Sequence, residues 1–287
     1  MWRARFALAI LTWCLAVAGA AAQTAPVPQM TFIPALLSGT AKPVNLQAAL
    51  WRPAGDGPFP LVILNHGTAS DQSQTRRMVP DYYAASRWFV SQGYAVVTPL
   101  RRGYGKSDGP LSEVAIVGAP SCSSPDYYGA GRQSARDLLA VIDYMRKQPY
   151  VDPSRIILAG HSAGGWATLA ALGSNPPVIG AIVFAPGRGS DARDSVCRPE
   201  FLIASARNFG QDVHVPMIWF SSENDHFFGP KLARAMFDAF SAKHPGDDTF
   251  VPVPAFGSDG HAFIGYADGL PLWTPAVQSF LARLATH

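Results

Sequence analysis

The chain has 287 residues, of which 48% are hydrophobic and 15% are charged, and its formal net charge is +3 at pH 7. This length and apolar content suit one large α/β domain or two small ones, and they exclude a disordered chain, which lacks the apolar residues for a core. The small net charge, with no basic stripe, gives no support for nucleic-acid binding.

The first residues resemble a secretion signal. Arg3 and Arg5 precede an apolar run over residues 6–17, and three alanines before Gln23 fit a small-residue cleavage site. The apolar run is short for a membrane span, so a cleaved signal is favoured over the alternative, a membrane anchor. We expect a secreted or periplasmic protein with no membrane anchor after cleavage.

Strands and helices alternate along the rest of the chain. Residues 61–65 form a continuous apolar run, which is typical of a buried central strand. Residues 133–148 have the periodicity of a helix. The predicted strands are 30–37, 44–52, 61–65, 95–99, 155–159, 179–184, 216–221 and 249–253. The predicted helices are 82–92, 133–148, 166–172, 229–241 and 272–284, with loops over 111–131 and over 185–213, the latter holding one helix near 200–205.

This alternation implies a mostly parallel sheet with helices on both faces. We therefore predict a single-domain α/β fold without a large lid, because the stretch between residues 184 and 216 is short. The predicted organisation is a signal peptide over 1–22, a linker and first strand over 23–43, and a catalytic domain over 44–287.

One segment, residues 155–165, combines an apolar strand, a sharp turn and a helix of small residues. Its centre, Gly160-His161-Ser162-Ala163-Gly164, fits the G-x-S-x-G pattern of a nucleophile elbow. A serine hydroxyl is a poor nucleophile at neutral pH and must be held exposed beside a base. The alternative is a structural strand–turn–helix with an incidental serine.

Other polar residues also follow predicted strands, as functional groups of parallel sheets do. Asp225 follows the strand at 216–221, and His261 follows the last strand in a glycine-rich turn. His226, which is adjacent to Asp225, remains the alternative base, and Glu223 remains the alternative acid.

Four motifs occur in a recognisable order: His66-Gly67, residues 160–165, Ser222-Glu223-Asn224-Asp225 and Gly260-His261. In this order they resemble the α/β-hydrolase superfamily, and within it the dienelactone-hydrolase-like and acetyl-esterase-like serine hydrolases. The resemblance covers roughly residues 44–285.

The resemblance implies a catalytic triad in which Ser162 is the nucleophile, His261 the base and Asp225 the acid. An oxyanion intermediate needs two N–H donors. Ala163 supplies one by its position after the nucleophile, and the resemblance places the second at Thr68, the residue after His66-Gly67.

Two cysteines remain after the leader, Cys122 and Cys197, both in Pro/Ser-rich stretches. An exported chain meets an oxidising compartment, so an even pair predicts one disulfide. Two free thiols are the alternative.

We therefore predict a serine hydrolase that cleaves small carboxylic esters through an acyl-enzyme. We expect no cofactor and no metal, because the sequence has no phosphate-binding glycine loop and no zinc-ligand spacing. The expected partner is a small-molecule ester. The alternatives are an acyltransferase or a small peptidase on the same triad, and, from another class, a non-catalytic binding protein.

Overall fold

The computed structural model describes residues 27–37, 42–68, 71–80, 82–111, 113, 122, 124–244 and 246–285. The predicted signal peptide over residues 1–22 and part of the predicted linker lie outside these described residues.

An eight-stranded sheet forms the centre of the molecule, with the strand order β1-β2-β4-β3-β5-β6-β9-β10. The β1–β2 and β2–β4 pairs are antiparallel, and the other pairs of this sheet are parallel. A separate hairpin pairs β7 with β8. The strands are β1 (Gln29–Ala35), β2 (Val44–Trp51), β3 (Phe59–Asn65), β4 (Ala95–Pro99), β5 (Val151–His161), β6 (Gly180–Phe184), β7 (Ser190–Ala192), β8 (Ser195–Val196), β9 (Met217–Ser222) and β10 (Thr249–Val253).

Helices cover both faces of the sheet, as predicted. Leu61 and Ile63 of β3 pack into a core beneath α2–α5, and Val62 and Leu64 pack into a second core beneath α1 and α6. This division explains why β3 is apolar at every one of these positions: both of its faces are buried. The helices are α1 (Tyr83–Ser91), α2 (Tyr127–Met145), α3 (Ala163–Leu172), α4 (Pro199–Phe209), α5 (Pro230–Phe240) and α6 (Leu270–Leu284).

Two helices differ from the sequence prediction. Helix α2 begins at Tyr127, inside the stretch that was predicted to be a loop, because the Asp126 side chain caps it by accepting a hydrogen bond from the Gly129 N–H at 2.7 Å. Helix α4 is longer than the predicted 200–205 and begins with Pro199, whose missing N–H costs nothing in the first turn.

The predicted disulfide is present. Cys122 is bonded to Cys197, with a Cα–Cα distance of 5.3 Å. The bond joins the segment before α2 to the segment before α4. Among the described residues, no helix is long and apolar enough to cross a membrane.

Candidate active site

Ser162 lies in the tight turn between β5 and α3, with φ 53° and ψ −123°. Few residues with a side chain adopt this conformation, which costs on the order of 1–3 kcal/mol. The turn is held by neighbours: the Ser162 N–H donates to the Phe184 carbonyl at 3.0 Å, and the Gly187 N–H donates to the Ser162 carbonyl at 3.2 Å. Gly164 is required here, because an added Cβ would lie 2.4 Å from the carbonyl oxygen of Asn65.

Asp225 and His261 meet at the carboxyl ends of β9 and β10. His261 Nδ1 lies 3.1 Å from each carboxylate oxygen of Asp225. The Asp225 Oδ1 atom also accepts hydrogen bonds from the backbone N–H groups of Phe227, at 2.8 Å, and Phe228, at 3.0 Å. The Phe227 ring stacks on the His261 ring with a centroid distance of 4.2 Å. The carboxylate and the imidazole are therefore fixed in position relative to each other.

The charge state of Asp225 follows from these contacts. Burial acts to raise its pKa, but the hydrogen bond and charge of His261 and the two backbone N–H groups outweigh burial, so the pKa lies below its ordinary value. An ionised Asp225 accepts the Nδ1–H of His261. In the neutral tautomer that donates from Nδ1, Nε2 of His261 is an acceptor, as a general base requires.

The alternatives from the sequence have other partners. His226 Nδ1 lies 2.6 Å from a carboxylate oxygen of Asp194, and Glu223 is exposed. Asp259 accepts a hydrogen bond from the backbone N–H of His261, at 3.0 Å, and so positions the residue without touching its ring.

The loop after β3 lies against the elbow. A Cβ added to Gly67 would lie 3.2 Å from the Cβ of Ser162, so only glycine allows this approach without displacement. Thr68 follows Gly67, and its hydroxyl lies 2.8 Å from the hydroxyl of Tyr104. Ala163 is the first residue of α3, where N–H groups have no acceptor within the helix. Gly67 and Ala163 thus adjoin the serine from two elements, and Thr68 follows Gly67 in the chain.

Comparison with known proteins assigns this chain to a family. The family model for the X-Pro dipeptidyl-peptidase (S15) family matches residues 41–231, which is more than half of the chain. The chain belongs to the S15 peptidase family. The expectation of the α/β-hydrolase superfamily is confirmed.

Individual relatives are more distant. The quorum-quenching protein AidA of Acinetobacter baumannii is 28% identical over 127 residues, covering 44% of this chain and 35% of AidA. The chain thus spans about a third of that relative's length.

Two solved structures show the same fold. The esterase Pf2001 of Pyrococcus furiosus has a TM-score of 0.61 and 15% identity, covering 89% of this chain and 93% of the esterase. A dienelactone hydrolase of Klebsiella pneumoniae, described as putative, has a TM-score of 0.55 and 18% identity, covering 92% of this chain and 100% of the other.

In this S15-family chain, a buried ionic cluster lies beside Thr68; we define the ionic cluster as Arg101, Glu113 and Arg188. The Arg101 guanidinium donates to both carboxylate oxygens of Glu113, at 2.8 and 3.0 Å, and Arg188 lies 2.9 Å from the same carboxylate. The hydroxyls of Tyr104 and Ser134 also donate to Glu113. No sequence pattern pointed to Glu113 or Arg188.

The ionic cluster sets the charge state of its neighbours. Burial acts to raise the pKa of Glu113, but the charges of Arg101 and Arg188 hold it well below its ordinary range. Burial and the charge of Arg101 hold the pKa of His66 well below its ordinary value. The backbone N–H of Arg101 donates to Nε2 of this neutral ring at 3.0 Å. The ionic cluster therefore supports the loop that carries Gly67 and Thr68.

Tyr82 and His161 form a second connection on the other side of Gly67. The Tyr82 hydroxyl lies 3.2 Å from the Gly67 nitrogen and 2.9 Å from His161 Nδ1. His161 Nε2 lies 2.9 Å from the carbonyl oxygen of His261. No sequence signal pointed to Tyr82, and His161 had no predicted role beyond its place in the elbow.

A groove of about 470 Å³ opens next to these residues. Tyr104, Trp166 and Phe263 are fully buried in the core and do not line this groove. The groove is lined instead by His66, Arg77, Met78, Val79, Tyr82, His161, Ala262, Gly265 and Tyr266.

No group of three or more His, Cys, Asp or Glu side chains is arranged to hold a metal ion within the part of the chain that the structure describes.

Proposed function

We propose that this protein is a serine hydrolase that cleaves small carboxylic esters with Ser162, His261 and Asp225. Ser162 attacks the ester carbonyl, and Nε2 of His261 accepts its proton and returns it to the leaving alcohol. Water then attacks the acyl-enzyme by the same route. The observation that carries the proposal is the Asp225–His261 pair, with Nδ1 3.1 Å from both carboxylate oxygens, together with Ser162 in a strained turn directly after His161, whose ring centroid lies 4.9 Å from that of His261.

The oxyanion of each tetrahedral intermediate would be stabilised by the N–H groups of Ala163 and Thr68. Losing one such donor costs about 10²–10³ in kcat in well-studied enzymes. Ala163 is placed by the start of α3, and Thr68 is held through its hydroxyl by Tyr104.

An ester fits the groove better than a peptide with a free N-terminus. A dipeptidyl-peptidase removes the first two residues of a peptide, so it must bind an α-ammonium group, which a carboxylate recognises best. The described residues that line the groove include Arg77 and no acid. A cation at this position disfavours an ammonium group, and a groove of about 470 Å³ suits a small acyl or alcohol group.

The test compares Ser162→Ala with wild type on p-nitrophenyl acetate and butyrate. Removing the nucleophile should lower kcat by a factor on the order of 10⁴–10⁶ and abolish labelling by a fluorophosphonate probe. Ser279→Ala, at an exposed position in α6, is the matched control and should leave both readouts unchanged.

An X-Pro p-nitroanilide belongs in the same assay. If the anilide is turned over faster than the esters, the protein is a dipeptidyl-peptidase and the proposed esterase function is wrong. Wild-type protein that neither turns over esters nor reacts with the probe would contradict catalysis by this triad.

We also propose that the protein is exported. The Cys122–Cys197 disulfide supports export, because such bonds persist in oxidising compartments. Mass analysis of the protein recovered from its native host should find a mature N-terminus at Gln23, and an intact Met1 would contradict cleavage.

A further inference from the structure

Three catalytic segments meet at two side chains that the proposed mechanism does not use. Tyr82 and His161 connect the N–H of Gly67, the elbow and the carbonyl of His261; we call this set the neutral network. Its distances are 3.2 Å from Gly67 N to the Tyr82 hydroxyl, 2.9 Å from that hydroxyl to His161 Nδ1, and 2.9 Å from His161 Nε2 to the His261 carbonyl oxygen.

For a neutral His161 ring, only one arrangement of hydrogens satisfies all three contacts. The His261 carbonyl can only accept, so Nε2 of His161 carries the hydrogen. Nδ1 is then the acceptor of a neutral ring, and the Tyr82 hydroxyl donates to it. The Tyr82 oxygen keeps a lone pair that accepts the Gly67 N–H. Burial lowers the pKa of His161 to about 3, so the ring keeps this single neutral form at neutral pH.

The bonded atoms adjoin the proposed catalytic positions. Gly67 precedes the proposed oxyanion donor Thr68, and His161 precedes the nucleophile Ser162. The His261 carbonyl belongs to the proposed base itself. The neutral network therefore links the donor, the nucleophile and the base through backbone groups. These three lie far apart in the sequence.

The backbone of Tyr82 supports a specific role. Its φ of 74° is left-handed, which is unfavourable for a tyrosine by about 1–2 kcal/mol. The residue nevertheless directs its ring toward His161, with a centroid distance of 5.9 Å. Strain of this kind persists where the surrounding structure uses the geometry.

We propose that Tyr82 and His161 are positioning residues. They hold the loop that carries Gly67 and Thr68, and the base His261, at the correct distance from the nucleophile Ser162. This inference rests on the proposed hydrolase function. It assigns neither residue a contact with the reacting atoms, so both act through Gly67, Ser162 and His261.

The experiment uses two variants that break the same bond from opposite ends. Tyr82→Phe removes the hydroxyl and keeps the ring that lines the groove. His161→Gln keeps an amide N–H near the position of Nε2 and loses the acceptor at Nδ1. His161→Gln should lower kcat for p-nitrophenyl butyrate about tenfold, the effect of one hydrogen bond. Tyr82→Phe also removes the acceptor of the Gly67 N–H, so it should lower kcat by at least as much. Each should change KM by no more than about twofold.

The double variant separates positioning from a general loss of structure. Because Tyr82→Phe already breaks the bond that His161→Gln removes, the double variant should lose no more kcat than Tyr82→Phe alone, whereas independent effects would multiply. Tyr83→Phe, at the exposed neighbouring position, is the matched control and should keep wild-type kcat. Far-UV circular dichroism checks that each variant is folded.

Two results would overturn the inference: an unchanged kcat in Tyr82→Phe, or single effects that multiply in the double variant. If His161→Gln fails to fold, the kcat of Tyr82→Phe alone tests the positioning role. If Tyr82→Phe fails to fold, the kcat of His161→Gln tests it in the same way. Fluorophosphonate labelling of wild type keeps the two proposals distinct. A labelled wild type with unaffected variants contradicts only the positioning role, and an unlabelled wild type contradicts the hydrolase itself.

Discussion

The two sides of the loop after β3 are built from different chemistry. The ionic cluster supports Thr68 through Tyr104, and it places two arginines and one glutamate at side-chain exposures of 5% or less. The neutral network supports Gly67 through Tyr82 and His161. Its hydrogen bonds join uncharged groups when the His161 ring is neutral. Both sides are part of the same proposed site.

The difference separates stability from catalysis. A buried charge that loses its partner is strongly destabilising, whereas a neutral hydrogen bond contributes only about 1 kcal/mol. We therefore expect changes in the ionic cluster to be felt mainly in the free energy of unfolding. Changes in the neutral network should be felt mainly in kcat, because its bonds hold catalytic backbone groups.

The largest expected effect is that of Glu113→Gln. The substitution leaves Arg101 and Arg188 without a counter-charge in a buried position, which should lower the free energy of unfolding by about 3–5 kcal/mol. Urea unfolding followed by tryptophan fluorescence measures this loss.

The matched control for Glu113→Gln is Glu200→Gln, which breaks an exposed pair with Arg198. It should leave the unfolding curve unchanged within experimental error. A loss below about 1 kcal/mol in Glu113→Gln would contradict the ionic cluster as a buried unit.

As the pH falls, the contribution of neutral His161 to the free energy of unfolding should be lost before that of ionised Glu113. Burial lowers the pKa of His161 to about 3, from an ordinary value of 6.5. The unfolded chain therefore binds the extra proton between these values, so this contribution is complete above about pH 6.5 and is lost as the pH falls toward 3. The pKa of Glu113 is lowered from 4.5, so its contribution lasts until the pH falls below about 4.5.

The measurement is the free energy of unfolding as a function of pH for wild type and for His161→Asn. Removing one titrating group should reduce the slope between about pH 6 and pH 4 by up to about 1.4 kcal/mol per pH unit. His214→Asn, at an exposed histidine, is the control and should keep the wild-type slope. Equal slopes in wild type and His161→Asn would mean that His161 titrates normally in the folded protein.

The sheet and the elbow could be predicted from sequence because their signals are local. Residues 61–65 are apolar at successive positions, and the spacing of glycines around Ser162 specifies a strand–turn–helix. The start of α2 also had a local signal, the capping residue Asp126. Gly129 and Gly131 obscured it, because glycine is a poor helix former.

The supports of the site could not be predicted, because their partners are distant in sequence and follow no period. Glu113 pairs with Arg188, which lies beyond β5 and β6, and it stands in a stretch predicted as a loop. Tyr82 reaches His161 only because α1 begins where the fold brings it to the elbow. Such contacts depend on the path of loops, which hydrophobic periodicity does not determine.

Tyr104→Phe tests whether the hydroxyl that joins Thr68 to the ionic cluster contributes more to stability than to kcat. Burial raises the pKa of Tyr104 to about 12, so its hydroxyl stays protonated and donates to Glu113 at 2.7 Å. Its removal should lower the free energy of unfolding by about 1–2 kcal/mol. We expect the loss of kcat to be smaller than in Tyr82→Phe, because Thr68 loses a side-chain contact and keeps its backbone N–H.

Urea unfolding and p-nitrophenyl butyrate kinetics on Tyr104→Phe and Tyr82→Phe together check this ordering. A larger kcat loss in Tyr104→Phe would assign the catalytic geometry to the ionic side.

The smallest expected effect is that of salt on the ionic cluster. Raising NaCl from about 0.1 M to about 1 M shortens the Debye length from about 10 Å to about 3 Å, which screens exposed charges and leaves buried pairs nearly unaffected. High salt also strengthens apolar burial, but it does so equally in wild type and in Glu113→Gln, so the difference between the two isolates the electrostatic part. That difference should be the same at both salt concentrations, because the side chains of Arg101 and Glu113 are only 1% and 4% exposed. If the loss in free energy of unfolding caused by Glu113→Gln instead shrinks as the salt concentration rises, water and ions reach the ionic cluster. The ionic cluster and the neutral network would then differ in charge, and the ionic cluster would not be shielded from solvent.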